Sequence, residues 1–439
     1  MSAFSIQPIQ PFKKRIEVPG DKSITHRALL FSGIATGTSR ILHASDSADC
    51  RSTAACLRSL GVSVTKRKTS FIVQGKGPLL TEPENILDCG NSGSTMRIIS
   101  GILAAQPFCA ALTGDSSLRK RPMKRIVEPL RLMGASIFGR EGGNYAPLFF
   151  SGPTRHPIEY RLPVASAQVK SSLLLAGLLT SGTTTIIEPM PSRDHTERML
   201  AAMGAPIKKE KESIHIQGPH TLLSRDIDVP GDFSSAAPFI GLAAALPGAS
   251  LTITRLGLNP TRTGLITVLK RMGASITTDS VIEKSGELIG DLTVKGTYLH
   301  GTEILPEEVP LLVDEIPLLA VIASIAKGRS IIRGAEELRF KESDRISAVA
   351  IALSAMGGAV EEEKDGLSLY GPVQLKGNIV HSQGDHRIAM ALAIAGMLAK
   401  GTTFIENFEC IKISFPEFAN YTLQLREKDG SGPRMERVV

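Results

Sequence analysis

One phrase recurs five times along the chain. Apolar residues three apart run into a glycine, and β-branched residues follow. It reads "LRSLGVSV" from Leu57, "LRLMGASI" from Leu130, "LAAMGAPI" from Leu200, "LKRMGASI" from Leu269 and "LSAMGGAV" from Leu353. The glycine is placed to end a helix in a left-handed conformation, and the residues after it predict a strand. A second strand and a turn come next each time: "FIVQGKGP", "LFFSGP", "IHIQGP", "LTVKGT" and "LSLYGP". The other half of the unit is an apolar helix, a small-residue turn and a strand, as in "ATGTSRILHA", "TSGTTTIIEP", "LPGASLTITR", "AKGRSIIRGA" and "AKGTTFIENF". "AQPFCAALTG" fills the slot between the first and second of these, and "FPEFANYTLQL" closes a sixth unit. A period of roughly 70 residues is too long for a solenoid and suits a compact βαβαββ module.

Six modules divide into two groups of three, and a second echo marks the division: "VPGDKSITH" at Val18 returns as "VPGDFSSAA" at Val229. The expected fold is α/β, with two similar lobes, 22–231 and 1–21 plus 232–439. The N-terminal strand joins the C-terminal half, and functional groups gather in a cleft between the lobes. A length of 439 residues, too great for one ordinary core, agrees.

Composition narrows the function. The chain has no Trp and 5% aromatic residues, which argues against a surface that stacks nucleic-acid bases. Fifty Lys+Arg against 43 Asp+Glu give a net charge of +7, modest for this length and not arranged as a basic tail. Small anionic substrates fit that balance better than nucleic acid. Five cysteines (Cys50, Cys56, Cys89, Cys109, Cys410) form no CxxC pair and no zinc spacing, as expected of reduced thiols in a cytoplasmic protein. Neither a signal peptide nor a membrane-spanning segment is legible, so no membrane partner is expected. No Cys/His set suggests a metal, and no cofactor is expected. The repeats bury one another, which makes a monomer the expectation, and the polar tail "REKDGSGPRMERVV" should be loose.

The chemistry sits at predicted strand-to-helix junctions. "GDKS" resembles the end of a Walker loop, but Asp21 and Ile16 stand where that loop needs glycines. Lys22, Ser23 and Arg27 at a helix start still suit a phosphate or carboxylate, or else form a cap with two solvated cations. "DCGNSGSTMR" places Gly93, Asn91 and Arg97 where backbone can approach an anion closely; a tight structural turn is the alternative. "RKRPMKR" contains Arg121 and reads equally as a solvated loop. "SAQVKS" supplies Ser166, Gln168 and Lys170, and "SRDHTE" supplies Arg193 and His195. In the second half, "VDEIPLLAVIAS" embeds Asp314 and Glu315 in apolar text, the setting of a general base. "FKESDR" puts Lys341 and Arg345 one helical turn apart with Glu342 beside them, a pattern that a solvated helix start also shows. "GDHRIAMA" sets Arg387 at the mouth of an apolar helix, as an anion clamp or a cap. Several such junctions on one repeated scaffold suggest two multiply charged anionic substrates.

In this order across nearly the whole chain, "PGDKSITHR", "GNSGSTMR", "RKRPM", "SAQVKS", "FKESDR" and "GDHRIAMA" resemble the 5-enolpyruvylshikimate-3-phosphate synthase family. The resemblance implies two inside-out α/β barrel domains of three βαβαββ repeats each. It also implies transfer of the enolpyruvyl group of phosphoenolpyruvate to the 5-hydroxyl of shikimate-3-phosphate, on the route to chorismate and aromatic amino acids. On this resemblance Lys22, Ser23, Arg27, Ser166, Gln168, Arg193, Asp314 and Lys341 contact shikimate-3-phosphate. Lys22, Gly93, Arg121, Gln168, Arg345 and Arg387 hold phosphoenolpyruvate, and Asp314, Glu342, Lys22 and Lys341 carry the catalysis. "RDHTE", "SAQVK" and "NPTR" resemble the class II subgroup, whose members often resist glyphosate. Two departures stand out: Ala167 occupies the place of a second serine, and Lys412 is one residue out of register before "FP". The sister enzyme acting on UDP-N-acetylglucosamine is the nearest alternative, but "TGDSSLRKRP" lacks that enzyme's reactive cysteine. A non-catalytic anion-binding protein on the same scaffold is the other; it would be expected to have lost Asp314 or Glu342.

Overall fold

The computed structural model describes residues 3–425 and the backbone of 435–438. The chain forms two compact units. The first is Pro19–Pro230 with Glu283–Glu287, and the second is Met1–Val18, Gly231–Ile282 and Leu288–Val439. Both boundaries of the long segments fall inside "VPGD", between Val18 and Pro19 and between Pro230 and Gly231.

Every module has one helix buried almost throughout. In the first unit these are α1 (Lys22–Gly33), α2 (Gly93–Leu103) and α3 (Ala167–Leu179). In the second they are α4 (Phe233–Ala245), α5 (Ile316–Ile325) and α6 (His386–Leu398). Small and apolar residues on all sides let such helices sit inside the protein. In the first unit α2 packs on α3, and in the second α4, α5 and α6 pack on one another. The second helices of the modules, such as Lys124–Leu132 and Gly264–Arg271, are two-faced, with Leu130 and Leu269 inward and charged residues outward. Each unit has its own hydrophobic core.

Each unit also holds three sheets, all with one topology. In the second module Leu87–Asp88 runs parallel to Cys109–Thr113, which pairs antiparallel with Tyr145–Ser151, itself antiparallel to Ser136–Gly139. The sheets do not continue into one another, so hydrogen bonding among the described strands does not close a barrel. Each unit completes itself with a strand from outside its own run of modules. Leu222–Leu223 and Ile227–Asp228 pair with Ala35–Leu42, and Lys13–Glu17 pairs in parallel with Ser250–Thr254. In the sixth module Ala3–Ile6 pairs with Thr403–Glu406 on one side and Met435–Val438 on the other.

That last pairing corrects the expectation of a loose tail. Residues 426–434 and 439 lie outside the described residues, but Met435–Val438 is a strand, because the exposed backbone edge of Ala3–Ile6 offers it a ladder. The repeated glycines behave as their spacing requires: Gly61, Gly134, Gly204, Gly273 and Gly357 have φ between 81° and 99°. Gly101 serves another need, since a Cβ there would lie 1.9 Å from the carbonyl oxygen of Ser172, where α2 crosses α3.

Two substitutions separate these roles. Gly101→Ala must push α2 off α3 and is expected to lower stability by about 3 kcal/mol. Gly204→Ala meets nothing within 4 Å and bears only the left-handed strain, about 1 kcal/mol. Thermal unfolding of both variants should show the larger loss at Gly101.

Candidate functional site

In the first unit the helix starts carry cations. Asp21 caps α1, its carboxylate accepting the Ile24 N–H at 2.8 Å, and this places Lys22 and Ser23 in the first turn. Lys22 Nζ donates to Asp49 Oδ2 at 2.9 Å. The half-buried hydroxyl of Ser23 makes no hydrogen bond among the described residues. Arg27 is buried, with Nε on Thr196 Oγ1 at 2.7 Å, Nη2 on Ser171 Oγ at 2.9 Å and Nη1 on the Ser23 carbonyl at 3.0 Å. Burial pushes its pKa down to about 10, with Glu197 opposing and Arg193 adding to the shift, so it stays charged at neutral pH. Beside it, His26 is fully enclosed, and its Nδ1 meets Thr53 Oγ1 at 2.7 Å. Burial pushes the His26 pKa down to about 3; Asp49 opposes that, and Lys22 and Arg27 add to it.

Ser92 caps α2 by accepting the Thr95 N–H at 3.1 Å, which makes Gly93 the first helical residue. A Cβ on Gly93 would stand 3.4 Å from Arg97 Nη1 and 3.5 Å from Arg121 Nη1, so two guanidinium groups meet over this helix start. Arg97 Nη1 donates to Gln168 Oε1 at 2.7 Å, and Gln168 Nε2 donates to Ser94 Oγ at 3.0 Å. Arg121 Nη2 donates to Asn91 Oδ1 at 2.9 Å. Amide oxygens of Gln168 and Asn91 orient both guanidiniums at the start of this helix. That combination binds a carboxylate or phosphate. Of the five cations in "RKRPMKR" Arg121 is half-buried, whereas Arg119, Lys120, Lys124 and Arg125 are exposed. Ser166 caps α3, its hydroxyl accepting the Val169 N–H at 3.5 Å. Lys170 is wholly buried between Glu188 (2.9 Å) and Glu197 (2.7 Å) and serves as an internal counter-charge. Arg193 is half-buried, close enough to Arg27 to act on its pKa.

The second unit gathers carboxylates instead. Arg345, 2% exposed, donates from Nε to Asp385 Oδ2 at 2.8 Å, from Nη1 to Asp314 Oδ1 at 3.3 Å and from Nη2 to Glu342 Oε2 at 2.5 Å. Burial opposes its charge, but Asp385, Glu342 and Asp314 together raise its pKa. Asp385 caps α6 through the Arg387 N–H (2.8 Å); burial works against its charge, yet Arg345 and His386 hold it below the usual carboxylate range. Arg345 thus holds three carboxylates in one cluster, and Arg262 Nη1 lies 3.8 Å from Asp314 Oδ2. Arg387 reaches back to the Ser234 carbonyl at 3.1 Å, and a recess is lined by Ser234, Asp314, Glu315 and Arg387.

One placement differs from the sequence reading. Lys341 and Arg345 do not share a helix face. A short 3₁₀ helix ends at Phe340 and a new helix starts at Arg345, because Asp344 caps it through the Ser347 N–H at 3.1 Å. Lys341 pairs with Glu337 at 2.8 Å. Lys412 is exposed and paired with Glu409. Asp49 was missed, because nothing in "SDSADC" signals a partner for a lysine 27 residues upstream. Among the described residues no three His, Cys, Asp or Glu side chains are placed to hold a metal ion, and no helix is long and apolar enough to cross a membrane.

A family model described as EPSP synthase (3-phosphoshikimate 1-carboxyvinyltransferase) matches residues 6–421. A 3-phosphoshikimate 1-carboxyvinyltransferase of Alkaliphilus metalliredigens is 50% identical, over 93% of this chain and 96% of its own length. One from Bacillus cereus is 47% identical over 95% and 98%. The solved EPSP synthase of Acinetobacter baumannii superposes with a TM-score of 0.89 at 40% identity, covering 99% of this chain and all of that one. The enolpyruvyl transferase NikO of Streptomyces tendae, at 17% identity and a TM-score of 0.80, shares the fold.

Two outcomes follow from this geometry. Gly93→Ala places a methyl beside the guanidiniums of Arg97 and Arg121 and should weaken anion binding at this helix start about tenfold, read by calorimetric titration with inorganic phosphate. His26 titrates near 6.5 when unfolded and near 3 when folded, so between those values the unfolded chain binds the extra proton. Its contribution to stability is complete above pH 6.5 and falls by up to about 1.4 kcal/mol per unit as the pH drops toward 3. His26→Gln should flatten the fall of melting temperature between pH 7 and 5.

Proposed function

The chain belongs to the EPSP synthase (3-phosphoshikimate 1-carboxyvinyltransferase) family, and we propose how its side chains share that family's reaction. The enolpyruvyl group of phosphoenolpyruvate passes to the 5-hydroxyl of shikimate-3-phosphate, and inorganic phosphate leaves. Lys22, Ser23, Arg27, Ser166, Gln168 and Arg193 bind shikimate-3-phosphate. The unbonded hydroxyl of Ser23 and the fixed guanidinium of Arg27 support that assignment. Lys22, Gly93, Arg121, Gln168, Arg345 and Arg387 hold phosphoenolpyruvate. Arg97, bonded to Gln168, joins this set.

Addition puts the hydroxyl oxygen on C2 of phosphoenolpyruvate and a proton on C3. Elimination then expels phosphate from C2 and takes a proton back from C3. Asp314 accepts the hydroxyl proton, and Glu342 delivers and recovers the C3 proton. The observation that carries these roles is the single Arg345 guanidinium bonded to both acids, which sets them together and couples their protons. Lys341 contributes to proton transfer after leaving Glu337, its half-buried partner at 2.8 Å. The cations counter the phosphate and carboxylate charge that develops during transfer. The protein acts in the cytoplasm as a monomer; three sheets around three mutually packed helices make the second unit self-contained, and no membrane-crossing helix is found among the described residues.

Phosphate release is the assay. Turnover is expected with shikimate-3-phosphate plus phosphoenolpyruvate and not with UDP-N-acetylglucosamine plus phosphoenolpyruvate; the reverse pattern refutes the assignment. Asp314→Asn should lower kcat by about 10²–10⁴-fold with little change in either KM.

A further inference from the structure

We propose that Ser234, Arg262 and Glu315 form a positioning relay that fixes the carboxylate of Asp314; the inference rests on Asp314 being the base. Ser234 is the second residue of α4, in the "VPGDFSSAA" that echoes "VPGDKSITH", so it stands where Ser23 stands in α1. The two serines have opposite surroundings. Ser23 keeps an unbonded hydroxyl, whereas the hydroxyl of Ser234 is buried and doubly engaged. It donates to Glu315 Oε1 at 2.5 Å and accepts from Arg262 Nη2 at 2.6 Å.

Arg262 comes from "NPTR" and is 4% exposed. Its other terminal nitrogen, Nη1, lies 3.8 Å from Asp314 Oδ2, while Arg345 Nη1 lies 3.3 Å from Asp314 Oδ1. Each oxygen of Asp314 therefore faces a different guanidinium, one from the loop that carries Arg262 and one from the helix that starts at Arg345, which fixes the plane of the carboxylate. Glu315 is 1% exposed, and Oε2 makes no hydrogen bond among the described residues. A carboxylate buried on one hydroxyl is costly, and an apolar side chain would suit the start of so apolar a helix. Its retention is explained if it holds Ser234 and, through Ser234, aims Arg262 at Asp314.

The charged groups around Asp314 are Arg345 with Glu342 and Asp385, Arg262 with Asp232, the adjoining Glu315, and Arg387 beside His386 on α6. Removing Arg262 takes one positive charge from beside the carboxylate, so the base should protonate at higher pH.

The test is steady-state kinetics of the full chain on shikimate-3-phosphate and phosphoenolpyruvate. Ser234→Ala strands the buried Glu315 and should lower the melting temperature, and at a temperature well below its unfolding it is expected to lower kcat at least about tenfold with both KM values within about threefold; Ser234→Thr should recover most of the kcat loss. Arg262→Gln should move the acid limb of the kcat profile to higher pH. The relay is overturned if kcat of Ser234→Ala, measured well below its unfolding, stays within about twofold of the parent, or if the loss lies in KM instead. Asp314→Asn separates the two ideas: if that variant turns over normally, the base assignment itself has failed. If it is inactive while Ser234→Ala is unimpaired, only the relay has.

Discussion

A helix buried along its whole length must still satisfy its first N–H groups, and much of this protein follows from how that need is met. Each module threads one apolar helix through the interior, so its polar start is where function can be placed without disturbing the core. Asp21, Ser92, Ser166, Asp232 and Asp385 each satisfy part of the demand with a side-chain cap. The donors left over, and the residues just inside the cap, are free to be specialised. Lys22, Gly93, Gln168, Ser234 and Arg387 all occupy the first two helical positions.

The two units specialise these starts in opposite ways, and the difference lies in what surrounds each buried arginine. In the first unit Arg27 rests on Thr196 and Ser171, Arg97 on Gln168, and Arg121 on Asn91. Hydroxyl and amide partners orient each guanidinium through directional hydrogen bonds. In the second unit Arg345 is instead bonded to Asp314, Glu342 and Asp385, which gathers those carboxylates into one cluster. Carboxyvinyl transfer needs both: cations to hold two anionic substrates, and acids to move protons on and off carbon and oxygen. The echo between Ser23 and Ser234 shows the same divergence at one repeated position, open in the first unit and committed to side-chain partners in the second.

Most of the architecture was legible because repetition makes local signals reinforce one another. A single "MGA" is weak, but five in register predict helix, glycine stop and strand, and all five glycines take the left-handed conformation. The motif starts were legible for the same reason: capping acids and serines sit directly before apolar runs. Partners were not. Asp49 for Lys22, Thr196 for Arg27 and Gln168 for Arg97 lie 27, 169 and 71 residues away, and no periodicity links such pairs. Lys341 was placed with Arg345 on helical spacing alone, and the Asp344 cap overrode it by starting a new helix between them.

From the order of its residues the chain determines its module, the number of its copies and the helix starts where chemistry belongs, since each depends on interactions within a few residues along the backbone. Which strand completes which sheet, which carboxylate answers which cation, and whether a serine faces a ligand or a buried glutamate were decided only on folding. Those outcomes depend on side chains distant in sequence meeting in a low-dielectric interior, where an unmatched charge is too costly to survive and its partner is selected by proximity in space.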